Sequence, residues 1–212
     1  MNKFPPENYF DLENCYFSEI FDREKPVWDS LKVLQEYLRK QFDEGKLARN
    51  YRSDLDAHIG EGTTIEEGVK IVGPVIFGKN CSIGHAVFMR GGCLIGNNVH
   101  IGHASEIKAS IILNDSAVAH LNYVGDSIIG NGVNVSGGAL FANYRFDKMQ
   151  VSVRTENGKV ETGLAKFGAI VGDNSNVGVN AMLNPGTILG KNTLVYPLHS
   201  VSGEHKENEI IK

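Results

Sequence analysis

The chain has 212 residues, 42% of them apolar, and a formal net charge of −4 at pH 7. That mildly acidic balance argues against nucleic acid or an anionic membrane surface as the main partner, and no apolar run reaches the 18 or so residues of a membrane span. The three cysteines, at positions 15, 81 and 93, make neither a disulfide framework nor a CxxC metal site. With no charged-then-apolar leader in MNKFPPENYFDLENC, a cytoplasmic protein is expected.

Residues 1–56 read as an N-terminal segment of their own. Lys25-Pro26-Val27-Trp28-Asp29 resembles a helix start, and Val27, Leu31, Leu34, Tyr37, Leu38 and Phe42 fall on one helical face. Gly45 is placed to end that helix. Solenoids need their terminal coils covered, so a helix capping the first coil is expected.

Glycine is abundant and proline scarce, 24 against six, which calls for a repeat search. Stepping by six from Ile59 gives Ile59, Ile65, Ile71, Phe77, Ile83, Met89, Ile95, Ile101, Ile107, Leu113 and Ala119, all apolar; the ladder resumes as Val171, Val177, Leu183, Leu189, Val195 and Val201. Two residues earlier runs a second ladder of small or β-branched residues: Ala57, Thr63, Val69, Val75, Cys81, Val87, Cys93, Val99, Ser105, Ile111 and Ala117. Two inward positions flanking an outward one is the period-2 face of a short strand. The glycine that commonly follows tolerates corner dihedrals. Three such units close a triangular coil of about 18 residues, and coils stack at roughly 4.8 Å.

Residues 57–203 are therefore expected to form a parallel β-helix, with a slip of phase between Ala119 and Phe141. Residues 144–166 leave the repeat, and Glu156-Asn157-Gly158 carries a hairpin-turn signal, so an extruded β-hairpin arm is expected there. Residues 204–212 read as a polar tail.

The position after each ladder residue reads Gly60, Glu66, Val72, Gly78, Gly84, Arg90, Gly96, Gly102, Lys108, Asn114 and His120. Arg90 and Lys108 are one coil apart and should stack at about 5 Å, where like charges repel unless an anion lies between them. A phosphate would fit; a solvated basic edge is the alternative. His120 falls at a different corner, so only prisms packed side by side, as in a trimer, would join it to Lys108. An imidazole is the usual general base for an amine or hydroxyl nucleophile. His85 and His103 also stack, in repeated Ile-Gly-His-Ala units. With no third ligand at metal spacing, periodicity explains them more simply than a metal pair. Cys81 and Cys93 fall on the inward ladder and read as core.

The stretches AHLNYVGD (119–126), NGVNVSGG (131–138), FANYRFD (141–147) and KFGAIVGDNSNVGVNAMLNPG (166–186) carry a family resemblance. Residues 58–200 resemble the acetyltransferase domain of bifunctional glucosamine-1-phosphate acetyltransferase/N-acetylglucosamine-1-phosphate uridylyltransferases, most nearly the archaeal-type sugar-phosphate enzymes. The resemblance implies an all-β fold, a left-handed parallel β-helix of hexapeptide repeats, in homotrimers with sites between subunits. It implies acetyl-CoA as co-substrate, an amino-sugar 1-phosphate as acceptor, and no metal for acetyl transfer. His120 matches the catalytic base. Arg90, Lys108, Tyr123 and Asn134 match sugar-phosphate contacts, with Arg90 and Lys108 on the phosphate. Asn143 and Tyr144 match positions near the acetyl group and pantetheine, and Lys166 a basic residue beside the site. Asn143 or a backbone N–H would stabilise the oxyanion.

Val179 stands where the bacterial enzymes carry a serine contact to the coenzyme. No Gly-rich nucleotide loop precedes the repeats, so no nucleotidyltransferase activity is expected, and a basic contact to the coenzyme phosphates has no obvious counterpart. The rival readings are an acyltransferase using another acyl chain or a nucleotide sugar, a non-catalytic partner of a separate nucleotidyltransferase, and a zinc carbonic anhydrase with three histidines converging across a trimer.

Overall fold

The computed structural model of the chain describes residues 3–43, 47, 51–52 and 55–212. From Ala57 onward, apart from a hairpin at 151–164, strands of two or three residues alternate with corners, and each pairs in parallel with a strand one coil away. Three sheets result. Sheet A runs from Ala57–Ile59, edged by the antiparallel Tyr51–Arg52, to Glu204–His205, sheet B from Thr64–Ile65 to Ile210–Ile211, and sheet C from Lys70–Val72 to Ser200–Val201. This stack of about nine coils fits the left-handed parallel β-helix. Its interior is the apolar ladder: Phe77, Ile83, Met89, Ile95, Ile101 and Ile107 are fully buried.

The ladder glycines serve space rather than dihedral freedom. A Cβ on Gly102 would lie 1.5 Å from the carbonyl oxygen of Ala119, and one on Gly78 would lie 2.5 Å from that of Gly96. The left-handed backbone falls two residues later, at Asn80, Ala86, Asn98 and Ala104, where Asn is well suited.

The phase slips earlier than the six-residue count suggests. The inward column runs Ile107, Ile112, Val118, Val124, Ile129, Val135, Phe141. Two steps are five residues long, and both fall at the corner from sheet C to sheet A. Leu113 and Ala119 are therefore off the column, and the small inward partners are Ser110 and Ser116 in place of Ile111 and Ala117. Counting by six overlooks the slip because Leu113 is apolar for another reason: it packs outward, against the N-terminal segment. The inward serines are paired, as buried hydroxyls must be. Ser110 Oγ accepts the Ser127 N–H at 3.1 Å, and Ser116 Oγ that of Val133 at 3.0 Å.

The N-terminal segment is a strap along one face, not a cap on the first coil. Sheet A carries an outward column of Ile76, Leu94, Ile111, Ile128, Ile170 and Ile188, all buried. Phe4, Phe10, Trp28, Leu34 and Leu38 cover it, the last two from α1 (Asp29–Asp43). A face of that length left in water would cost about 25 cal/mol for each Å² of apolar area, which is why the strap runs along the prism. Gly45, expected to end the helix, lies outside the described residues.

Polar contacts fix the strap's register. At the corner from sheet A to sheet B, the side-chain oxygens of Asn97, Asn114, Asn131 and Asp173 each accept the N–H of the residue one coil earlier, at 2.6–3.1 Å. Asp173 Oδ2 also accepts the Asp11 N–H at 2.6 Å, and Asn131 Nδ2 donates to the Asp11 carbonyl at 3.0 Å. Burial pushes the Asp173 carboxyl above its ordinary range, against the N–H donors that pull it down.

The hairpin forms where the turn signal lies, from Val151–Thr155 and Gly158–Leu164. It does not stand free: Val151 and Val153 are fully buried among the residues that cover sheet A. The stretch read as a tail continues the coils, because Glu204–His205 pairs with Ile188–Leu189 and Ile210–Ile211 with Leu194–Val195. Its ladder residue Ile211 packs on the core, so the repeat outlasts its own glycines.

Candidate active site

Outward residues of sheet C stack coil on coil. One column holds Phe88, Glu106, Tyr123 and Leu140; the other holds Arg90, Lys108 and Gly125. Arg90 and Lys108 are strand neighbours, as their spacing requires. Their repulsion is relieved within the chain. Arg90 donates to Glu106 Oε1 from Nε at 2.8 Å and Nη2 at 2.7 Å, and Lys108 Nζ donates to Asp126 Oδ2 at 2.5 Å. An anion from solution is not required to hold the two cations together.

Asp126 owes its place to the shortened corner. It sits in the left-handed region, φ 47°, inside the five-residue step from Val124 to Ile129, and its carboxylate returns over Lys108. Both side chains are largely buried, 16% and 13% exposed. Asp126 Oδ2 also accepts from Asn143 Nδ2, and Asn143 Nδ2 donates again to Tyr123 Oη at 3.0 Å. Both amide hydrogens of Asn143 are thereby committed, so it cannot donate to an oxyanion as expected; its Oδ1 can accept a hydrogen bond from a ligand. Gly125 makes room for the cluster, since a Cβ there would lie 2.6 Å from both Asn143 Nδ2 and Tyr123 Oη. Burial, then the Asp126 charge, raises the Tyr123 phenol above its ordinary pKa, so it stays a neutral hydroxyl.

At the foot of the hairpin the chain closes on itself. The Phe167 N–H donates to the Asn143 carbonyl at 3.0 Å, and Lys166 Nζ lies 5.9 Å from the centre of the Tyr144 ring. Tyr144 and Lys166 are thus neighbours at one end of the sheet C cluster, both exposed.

His120 lies at the corner from sheet B to sheet C, one residue beyond the glycine position. That is the position of His85 and His103, so the three form one column. The third member is missed by a step of 18 because the coil between His103 and His120 has 17 residues. The His85 and His103 rings are parallel within 8° at 5.2 Å, with their Nδ1 atoms 3.2 Å apart. A cleft of about 330 Å³ is lined by all three, with His100 and Glu66. Among the described residues no group of three His, Cys, Asp or Glu side chains is placed to hold a metal. His120 is exposed and its Nε2 lies over Gly137, where a Cβ would come within 2.6 Å.

One chain thus brings Arg90, Lys108, Tyr123 and Asn143 together, with Tyr144 and Lys166 beside them and His120 at the adjoining corner. Asn134 is not among them. It faces out from sheet B, in register with Ala117 and Asn176. Reading the ladders overlooked Glu106, Asp126, Gly125 and Gly137. Two of these had a signal: Glu106 is two residues before Lys108 on the same strand face, and Asp126 is 18 residues after it.

The GMPPB C-terminal domain matches residues 71–165. The bifunctional protein GlmU of Methanococcus aeolicus is 36% identical over 184 residues, 86% of this chain and 44% of that protein. The bifunctional sugar-1-phosphate nucleotidylyltransferase/acetyltransferase of Sulfurisphaera tokodaii is 39% identical over 92 residues, 43% of this chain and 23% of that protein. GlmU of Methanocaldococcus jannaschii is 43% identical over 88 residues, 42% of this chain and 21% of its own length. The chain spans less than half the length of each of these relatives.

Proposed function

We propose that this hexapeptide-repeat β-helix, which resembles the acetyltransferase domain of the GlmU-type bifunctional proteins, is an acetyl-CoA-dependent N-acetyltransferase for an amino-sugar 1-phosphate. The observation that carries this reading is the sheet C cluster, two fixed cations and a fixed amide, with an exposed imidazole at the adjoining corner.

Glu106 and Asp126 orient the cations without exhausting them. Lys108 keeps further N–H donors, as does Arg90 through Nη1, and these take the sugar phosphate. His120 removes a proton from the sugar ammonium. The freed amine attacks the thioester carbonyl, the C–N bond forms, the C–S bond breaks, the thiolate takes the proton back from the imidazolium, and the nitrogen loses its second proton to solvent as the neutral amide forms. A backbone N–H meets the oxyanion. Asn143 Oδ1 accepts from an amide N–H of the pantetheine, with Tyr144 and Lys166 along its path. Every step is proton and acyl transfer, so no metal enters it.

Asn134 joins the site only from a second copy. Beside His120, the exposed Leu121, Leu140, Val179, Met182 and Leu198 make an apolar strip along the prism, which a homotrimer would cover while setting sheet B of one copy against sheet C of the next. No helix among the described residues is long and apolar enough to cross a membrane. We place the protein in the cytoplasm, where its co-substrate is made, with small molecules rather than nucleic acid as partners.

The test is thiol release from acetyl-CoA over a panel of amino-sugar 1-phosphates, 6-phosphates and nucleotide-linked amino sugars. Turnover with none of them sinks the reading; preference for a nucleotide sugar or a longer acyl chain moves it to a related acyltransferase. If Lys108 binds the phosphate, Lys108→Met should raise KM for the phosphorylated acceptor about tenfold. The unphosphorylated amino sugar should be unaffected, so the ratio of the two is the quantity to measure. An unchanged ratio places the phosphate elsewhere.

A further inference from the structure

Arg154 and Lys159 are direct cross-strand partners in the hairpin, so their side chains leave the same face. Two cations directly opposite destabilise a hairpin unless something negative lies near them. On sheet C that role falls to Glu106 and Asp126. Here, among the described residues, neither cation is in an ion pair. Two nearby carboxylates are engaged elsewhere, Asp147 with Arg145 and Glu156 with Lys206 at 2.7 Å, and Glu161, two residues from Lys159 on the same face, is in no ion pair with either cation among the described residues.

The hairpin backbone holds these cations in place. Its other face is anchored by the buried Val151 and Val153, and it rests on two glycines. A Cβ on Gly186 would lie 2.6 Å from the Ser152 carbonyl oxygen, and one on Gly203 would lie 3.1 Å from that of Arg154. Two clefts adjoin here and share Arg145 and Ser152. The larger, about 580 Å³, is lined by Tyr144, Phe146, Arg154 and Asn184; the smaller, about 330 Å³, by Lys159 and Glu161. Phe146 offers a fully exposed ring to the larger cleft. Tyr144 leads from that cleft back to Asn143 and the sheet C cluster.

A ligand suited to this surface has several phosphates, a flat aromatic base and a thin chain reaching past Tyr144. We propose that Arg154 and Lys159 bind the phosphates of the acyl-CoA co-substrate, with Phe146 against its adenine. This rests on the acyltransferase reading above. The hairpin then supplies the basic contact to the coenzyme phosphates for which the repeats offer no obvious counterpart.

Calorimetry on the full chain separates the two claims. CoA, 3′-dephospho-CoA and pantetheine are titrated into the parent, Arg154→Ala, Lys159→Ala and Arg154→Lys. The parent should bind CoA about tenfold more tightly than pantetheine, and each alanine variant should lose about five- to tenfold for CoA and nothing for pantetheine. Arg154→Lys should recover part of the loss, which a merely structural role would not require. Equal CoA affinity in the parent and both alanine variants overturns the hairpin assignment alone. Failure of the parent to bind CoA overturns the acyltransferase reading and this one with it. Inorganic phosphate binding as tightly as CoA would assign the pair to a free anion and also overturn it.

Discussion

Replacing His120 by alanine is expected to lower kcat for acetyl transfer by about 10²–10⁴-fold, the usual loss when a general base is removed. The imidazole is exposed and off the inward column, so the fold should melt as the parent does. Gly137→Ala supplies the complementary experiment. Its Cβ would come within 2.6 Å of His120 Nε2, and the imidazole, being the end of a rotatable side chain, yields by swinging away. Gly137 has no positive φ, so alanine brings no backbone strain there. The variant should keep all reacting groups, lose kcat in the same direction as His120→Ala, and shift Tm by no more than a degree or two. Acetyl transfer at more than a tenth of the parental kcat in His120→Ala would remove the histidine from the mechanism.

The same residues show how far the sequence carried the site. A step of six identifies the prism because inward side chains at that spacing must be apolar, and it placed His120 and Lys108 at different corners correctly. It failed where one residue served two purposes. Leu113 is apolar for the strap's sake and hides the five-residue step that puts Ile112 inside. That hidden step sets His120 above His103 rather than at a glycine position, and the second five-residue step, from Val124 to Ile129, turns Asp126 back onto Lys108. The charge argument for a phosphate between Arg90 and Lys108 was incomplete in a related way. It counted cations at one edge and left out the carboxylates beside them, whereas among the described residues Arg154 and Lys159 are in no ion pair, even with Glu161 on their face. The strap was misplaced because a helix ahead of a solenoid suggests an end cap. The contrary signal was present in the outward Ile76, Leu94, Ile111 and Ile128, spaced by one coil each.

Trp28 is where that strap is joined to the candidate-site end of the molecule. It is 1% exposed, with its ring 4.8 Å from Phe4 and 6.0 Å from Phe167. Phe167 follows Lys166 and holds the Asn143 carbonyl through its own N–H. Truncating a buried tryptophan costs about 3–5 kcal/mol, so Trp28→Ala should detach the strap at denaturant concentrations where the coils persist. Coils are held by nearest neighbours, and the strap is a unit that can open without them. Limited proteolysis should therefore cut within residues 3–43 while the β-sheet circular dichroism remains, followed by ANS binding as the Ile76-to-Ile188 column meets water. In the folded variant, KM for the acyl donor should rise several-fold, because Phe167 no longer fixes Asn143 and Lys166, with little change in acceptor KM. A loss below about 1 kcal/mol, or proteolysis and sheet signal lost together, would mean that the strap and the coils are one cooperative unit and that Trp28 does not connect them in the way described.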